Sequence, residues 1–195
     1  MSRKILYLAL VCIFFLSTGI NCCGDQDQIC FQPSGLAVDF VTREDGVWAE
    51  LPGDVVSLDS YALQFNIERQ RETQAYRYYW GQAAYALTCD VVETWGETFT
   101  DLQVFTLRDI AADVPAGSDI SERVTISEKW VTEVTENTVE EVLARLNDPN
   151  LGYAPVEFIV HLNSDTVSDS LLQFVVALST DTQVFRDTTA AIAWQ

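Results

Sequence analysis

The feature that most constrains this chain is a two-residue apolar alternation that recurs along its length. Tyr61, Leu63, Phe65 and Ile67 alternate with Ala62, Gln64, Asn66 and Glu68. Val156, Phe158, Val160 and Leu162 alternate with Glu157, Ile159, His161 and Asn163. Leu172, Phe174, Val176 and Leu178 alternate with Leu171, Gln173, Val175 and Ala177. Successive side chains of an extended strand point to opposite faces, so this pattern reads as strands with one face against a core. Residues 36–41, 47–51, 99–107, 124–131 and 184–194 are further strand candidates, and 83–92 is apolar enough for a buried one. Asp45-Gly46, Pro52-Gly53-Asp54, Pro115 with Gly117, and the stretch 180–182 supply the turns.

One stretch breaks the alternation. Val139, Val142, Leu143 and Leu146 fall at i, i+3, i+4 and i+7, the spacing of one helical face. Thr138 followed by Glu141 forms a capping box, Glu141 and Arg145 can pair one turn apart, and Asp148-Pro149-Asn150 stops the helix. Many short strands with one helix near 138–147 predict a mainly β fold: an antiparallel β-sandwich, immunoglobulin-like or related. A small β-barrel is the alternative. No second domain and no internal repeat is needed, so 34–195 reads as a single domain.

The N-terminus carries an address. Arg3 and Lys4 precede an apolar run over 5–16, and Ser17, Thr18 and Gly19 follow. This is the charged, apolar, small-residue order of a secretory signal, and the run is short of the roughly 20 residues of a spanning helix. Cys22 and Cys23 come next, where a bacterial lipoprotein signal places the cysteine that receives lipid. The residues before them fit the strict lipobox only loosely; Cys22 is the expected lipidation site, with Cys23 as the alternative. Residues 1–21 are then a signal peptide and 22–33 an acidic tether. Two or more acyl chains on that cysteine would anchor the domain without inserting protein.

Removing residues 1–21 takes away Arg3 and Lys4 and no acid, leaving 9 basic and 29 acidic residues, a net charge near −20. That charge repels nucleic acid and anionic lipid, so no nucleic-acid partner is expected. In an oxidising exported compartment the remaining cysteines are expected to pair, and Cys30 with Cys89 is the predicted disulfide. It would close a loop of about 60 residues and stabilise the fold by about 2–4 kcal/mol.

Catalytic signatures of the common kinds are missing: there is no phosphate-binding glycine loop, no G-x-S-x-G and no H-E-x-x-H. No metal, cofactor or catalytic residue is assigned. His161, the single histidine, sits in mid-strand on the expected solvent side. Glu93 and Glu97 flank Trp95, a carboxylate pair of the kind a glycosidase needs beside a sugar surface. Asp165, Asp169 and Asn163 could hold calcium in a turn, though their spacing is not that of an EF-hand. Tyr76, Tyr78 and Trp80 would share one strand face, an aromatic platform for sugar rings or a partner surface.

The chain resembles small uncharacterised outer-membrane lipoproteins of the Bacteroidetes type. The residues that carry the likeness are the Cys22-Cys23 start with its acidic follow-on, Tyr61-Ala62-Leu63, Ala84-Tyr85-Ala86-Leu87-Thr88-Cys89, the late helix, and Phe174-Val175-Val176 ending in Thr188 and Thr189. The resemblance implies a cell-envelope protein, lipid-anchored to the outer membrane and facing the periplasm or the surface. The expected function is a membrane-tethered, non-enzymatic binding or envelope-structural module with a protein or glycan partner. A carbohydrate-binding or carbohydrate-active surface protein is the alternative.

Overall fold

A computed structural model of the chain describes residues 28–44, 47–51, 55–56, 61–72, 92–129, 136–162 and 171–194. These form strands β1 (Gln28–Glu44), β2 (Val47–Glu50), β3 (Val55–Val56), β4 (Tyr61–Arg71), β5 (Val92–Trp95), β6 (Phe99–Thr106), β7 (Val124–Glu128), β8 (Glu157–Leu162), β9 (Leu171–Leu172), β10 (Phe174–Thr180), β11 (Val184–Thr188) and β12 (Ile192–Trp194). One helix, α1 (Val139–Leu146), lies between β7 and β8. Among the described residues no helix is long and apolar enough to cross a membrane.

The strands make a large sheet of order β2-β1-β4-β8-β7, a second sheet of order β11-β10-β6, and a small one of order β3-β12-β9. The fold is mainly β, its sheets are not closed into a barrel, and it has the layout of a β-sandwich with one short helix. The core lies between the first two sheets. Val38, Phe40, Leu63, Phe65, Phe158, Val160 and Ile126 come from the first, and Leu102, Val104, Phe174, Val176 and Leu178 from the second. The phase of each alternation decides which residues these are, as period two requires. Phe65 pairs with Phe158 across β4 and β8, and their rings stack at 4.8 Å and 16°. Phe40 meets Phe174 edge-on across the two sheets at 6.0 Å.

The helix closes one end. The Thr138 hydroxyl accepts from the Glu141 N–H at 3.3 Å, and the Glu141 carboxylate accepts from the Thr138 N–H at 2.8 Å, the capping box read from the sequence. Val142 and Leu146 are buried in the core, with Val139 and Leu143 packed against it. The expected Glu141–Arg145 pair does not form, because Glu141 is turned back to the cap. Arg145 instead pairs with Glu128 of β7 and donates to the Tyr153 hydroxyl. At the helix end the Asn147 side chain behaves like a strand backbone. Its Oδ1 accepts from the Phe99 N–H at 2.9 Å and its Nδ2 donates to the Phe99 carbonyl at 2.8 Å.

Three features depart from the sequence reading. The first strand starts at Gln28, so residues 28–33, expected in the tether, belong to β1. Among the described residues two pairings are parallel, β5 on the start of β1 and β3 on β12. The strands expected at 171–178 and 184–194 each break in two. β9 and β12 pair with each other in the small sheet, while β10 and β11 pair in the second. Both arms of the hairpin leave that sheet at the same level. Thr189, 2% exposed, joins them there: its N–H donates to the Phe174 carbonyl and its hydroxyl accepts from the Phe174 N–H, each at 3.0 Å.

Candidate functional site

The first sheet has a second face, turned away from the main core. Register places Arg43 opposite Trp48, Val41 opposite Ala62, Gln64 opposite Ile159, and Ile159 opposite Ser127. Val41, Ala62 and Ile159 form a separate small apolar cluster with Trp48 packed against it. The face is therefore not a plain solvated surface. It has an apolar floor ringed by polar groups that carry hydrogen-bonding chemistry.

His161 sits on this floor. Its ring lies 5.4 Å from that of Trp48, and its Nε2 is 3.2 Å from the Ser127 hydroxyl. Burial pushes the imidazole below its ordinary range; Glu136 acts to raise it and Arg43 to lower it further. The ring is therefore held neutral, and one nitrogen is committed to Ser127. The Arg43 guanidinium stands 5.7 Å over the indole of Trp48, within the range of a cation–π contact. Gln64, 9% exposed, donates to Asn66 at 3.0 Å, and Lys129 lies 3.5 Å from Glu157 at the far edge. An indole with an exposed cation, a neutral imidazole and buried amide and hydroxyl groups can recognise a ligand by stacking and hydrogen bonding. Among the described residues the hydrogen-bond partner of the imidazole is the Ser127 hydroxyl and not a carboxylate.

The register of β1 with β2 builds this face: Glu44 pairs with Val47, and hence Arg43 with Trp48. The alternation of β8 then puts His161 in phase with Ile159. The alternation of β8 is plain in the sequence; the meeting of Trp48 and Arg43 with His161 joins segments far apart in the chain.

Other candidates from the sequence meet different fates. Cys22, Cys23, Cys89, Tyr76, Tyr78 and Trp80 lie outside the described residues, as do Asn163, Asp165 and Asp169. Cys30 lies in β1 as a half-buried free thiol. Burial, then a hydrogen bond and the charge of Glu72, push that thiol up while it is unpaired; its expected partner Cys89 lies outside the described residues. Glu93 forms an ion pair with Arg69 at 2.6 Å. Glu97 accepts from the Thr180 hydroxyl at 2.5 Å and faces the Gln183 amide at 3.5 Å. Trp95 between them packs onto the main core, edge-on to Phe99 at 5.2 Å. Both carboxylates are thus engaged in contacts within the fold, Glu93 with Arg69 and Glu97 with Thr180. Among the described residues no group of three or more His, Cys, Asp or Glu could hold a metal ion.

No family model matches the chain, and no curated protein matches it. A solved structure described as "BspA_C_mut" aligns with a TM-score of 0.30 and 12% identity, covering 84% of this chain and 46% of that one. The chain thus spans less than half the length of that structure, and the score is below that of a shared fold.

Proposed function

We propose that this chain is a lipid-anchored protein of the cell envelope, held at the outer membrane through Cys22, or through Cys23, and working as a non-enzymatic binding or structural module. The N-terminal charged, apolar and small-residue order supports the anchor. The observation that carries the binding role is the second face of the first sheet. There Arg43, Trp48, His161 and Ser127 converge on a floor of Val41, Ala62 and Ile159. Such a mixture of an amphipathic ring, a cation and hydrogen-bonding groups on a rigid sheet suits recognition of a protein or glycan. The disulfide between Cys30 and Cys89 is part of the same proposal, since an exported compartment favours it.

The test has two arms. Mass spectrometry of the N-terminal peptide from membrane fractions should find a lipidated cysteine, and residues 1–21 still attached would sink the anchor. Affinity purification from membranes should recover a partner that Trp48→Ala loses. An unchanged set of partners would remove this face from the reading. The glycan alternative draws on the same indole, whose ring can stack on a sugar. A glycan array bound by the native protein and not by Trp48→Ala would favour it over a protein partner.

A further inference from the structure

Two basic side chains meet at one aromatic ring on the second sheet face. Trp48 is approached by the Arg43 guanidinium at 5.7 Å and by the His161 ring at 5.4 Å. With His161 neutral, only Arg43 is a cation, and it keeps the indole face. The Ser127 hydroxyl holds the imidazole Nε2 at 3.2 Å, which ties the histidine to β7 beside Trp48. Arg43, in contrast, is exposed and lies on the β1–β2 hairpin, whose tip residue Val47 is 67% exposed. Of the three groups, Arg43 is the one free to leave.

We propose that His161 is a proton-operated release for Arg43: a proton taken from solvent onto the ring converts it to an imidazolium, which claims the Trp48 ring and drives the guanidinium into solvent. Protonation makes both ring nitrogens donors, so Ser127 must then accept from Nε2; its hydroxyl can rotate to do so without breaking the contact. The imidazolium gains a cation–π contact with the indole and repels Arg43. Among the described residues, Glu136 is the charge that favours the imidazolium and Arg43 the one that opposes it. The remaining neighbours across β4 and β7, Ala62, Gln64, Thr125 and Ser127, carry no charge. The device adds to the binding reading without depending on it: acidification would present a freed guanidinium where neutral conditions present a covered one.

The experiment follows the Trp48 indole N–H resonance of the 15N-labelled full chain, identified with Trp48→Phe, from about pH 8 to about pH 5. The resonance should move with one midpoint below the ordinary histidine value of 6.5. His161→Gln should abolish the movement. Arg43→Gln, at an exposed position that leaves the fold intact, should raise the midpoint by roughly 0.2–0.7 units, the worth of one exposed charge pair. A resonance that does not titrate, a titration that persists in His161→Gln, or a midpoint that does not rise in Arg43→Gln would each overturn the proposal. The Arg43 arm stands even where His161→Gln fails to fold.

Discussion

Asn147 ties α1 to the first residue of β6, and its loss has a calculable effect. The side chain replaces a missing strand neighbour by giving Phe99 both a donor and an acceptor, at 2.8 and 2.9 Å. Each such bond contributes about 0.5–1.5 kcal/mol net, and more when its removal leaves a buried partner unpaired. Asn147 itself is exposed, so water can reach part of the vacated site, which brings Asn147→Ala to about 1–2 kcal/mol. For a domain of this size that is a fall in Tm of about 2–8 °C. Asn147→Asp separates the two bonds. It keeps the acceptor for the Phe99 N–H but turns an anion toward the Phe99 carbonyl and toward the negative end of α1, so it should be less stable than Asn147→Ala. Thermal unfolding followed by circular dichroism ranks the three proteins, and amide exchange at Phe99 should quicken in both variants. An Ala variant indistinguishable from the wild type, or an Asp variant more stable than Ala, would refute the strand-mimic account.

Thr189→Val keeps the shape at the bend but removes the acceptor for the buried Phe174 N–H, so urea unfolding should show a loss of about 1–3 kcal/mol. Tyr61→Phe should behave in the opposite way. Burial pushes that phenol up to about 12, and its hydroxyl has no hydrogen-bond partner among the described residues, so the Phe variant should be as stable as the wild type or more so by calorimetry. His161 makes stability depend on pH. Its folded pKa lies below the unfolded value of 6.5, so the unfolded chain binds more protons as pH falls through that region. The stabilisation is whole above 6.5 and declines below it. Urea midpoints of wild type and His161→Gln should therefore converge or cross on acidification, and parallel curves would contradict this.

What was legible in the sequence is what local periodicity determines. The alternation in β4 and β8 named the residues that face the main core, because phase decides which side chains share a face; it did not show that Ala62, Gln64 and Ile159 on the opposite face are buried as well, or that His161, expected on the solvent side, is half-buried. The capping box of α1 was legible for the same reason: both partners lie within one turn. The rest depends on contacts between distant segments. Arg145 has two acidic candidates, and only the placement of β7 beside the helix gives it to Glu128 rather than to Glu141. The run at 171–178 alternates without a break, yet it bends at Gln173 because the buried Thr189 hydroxyl ties the two hairpin arms there. β5 is four residues long, and its parallel place on β1 joins segments some 60 positions apart, as Gln28 facing Val92 shows. Asp187 illustrates how far such contacts reach. In the sequence it is one of many surface acids. In the fold its carboxylate accepts from the Val38 N–H at 2.8 Å, on a stretch of β1 between the β5 and β2 pairings. The Gln183 Nε2 donates to the Pro33 carbonyl at 3.3 Å. These two side chains from the β10–β11 hairpin join the two sheets along an edge that β1 leaves without a strand partner. The second face around His161 belongs to this same class of feature. Its residues come from five strands, and the antiparallel register of β1 with β2 decides that Arg43 and Trp48 meet there.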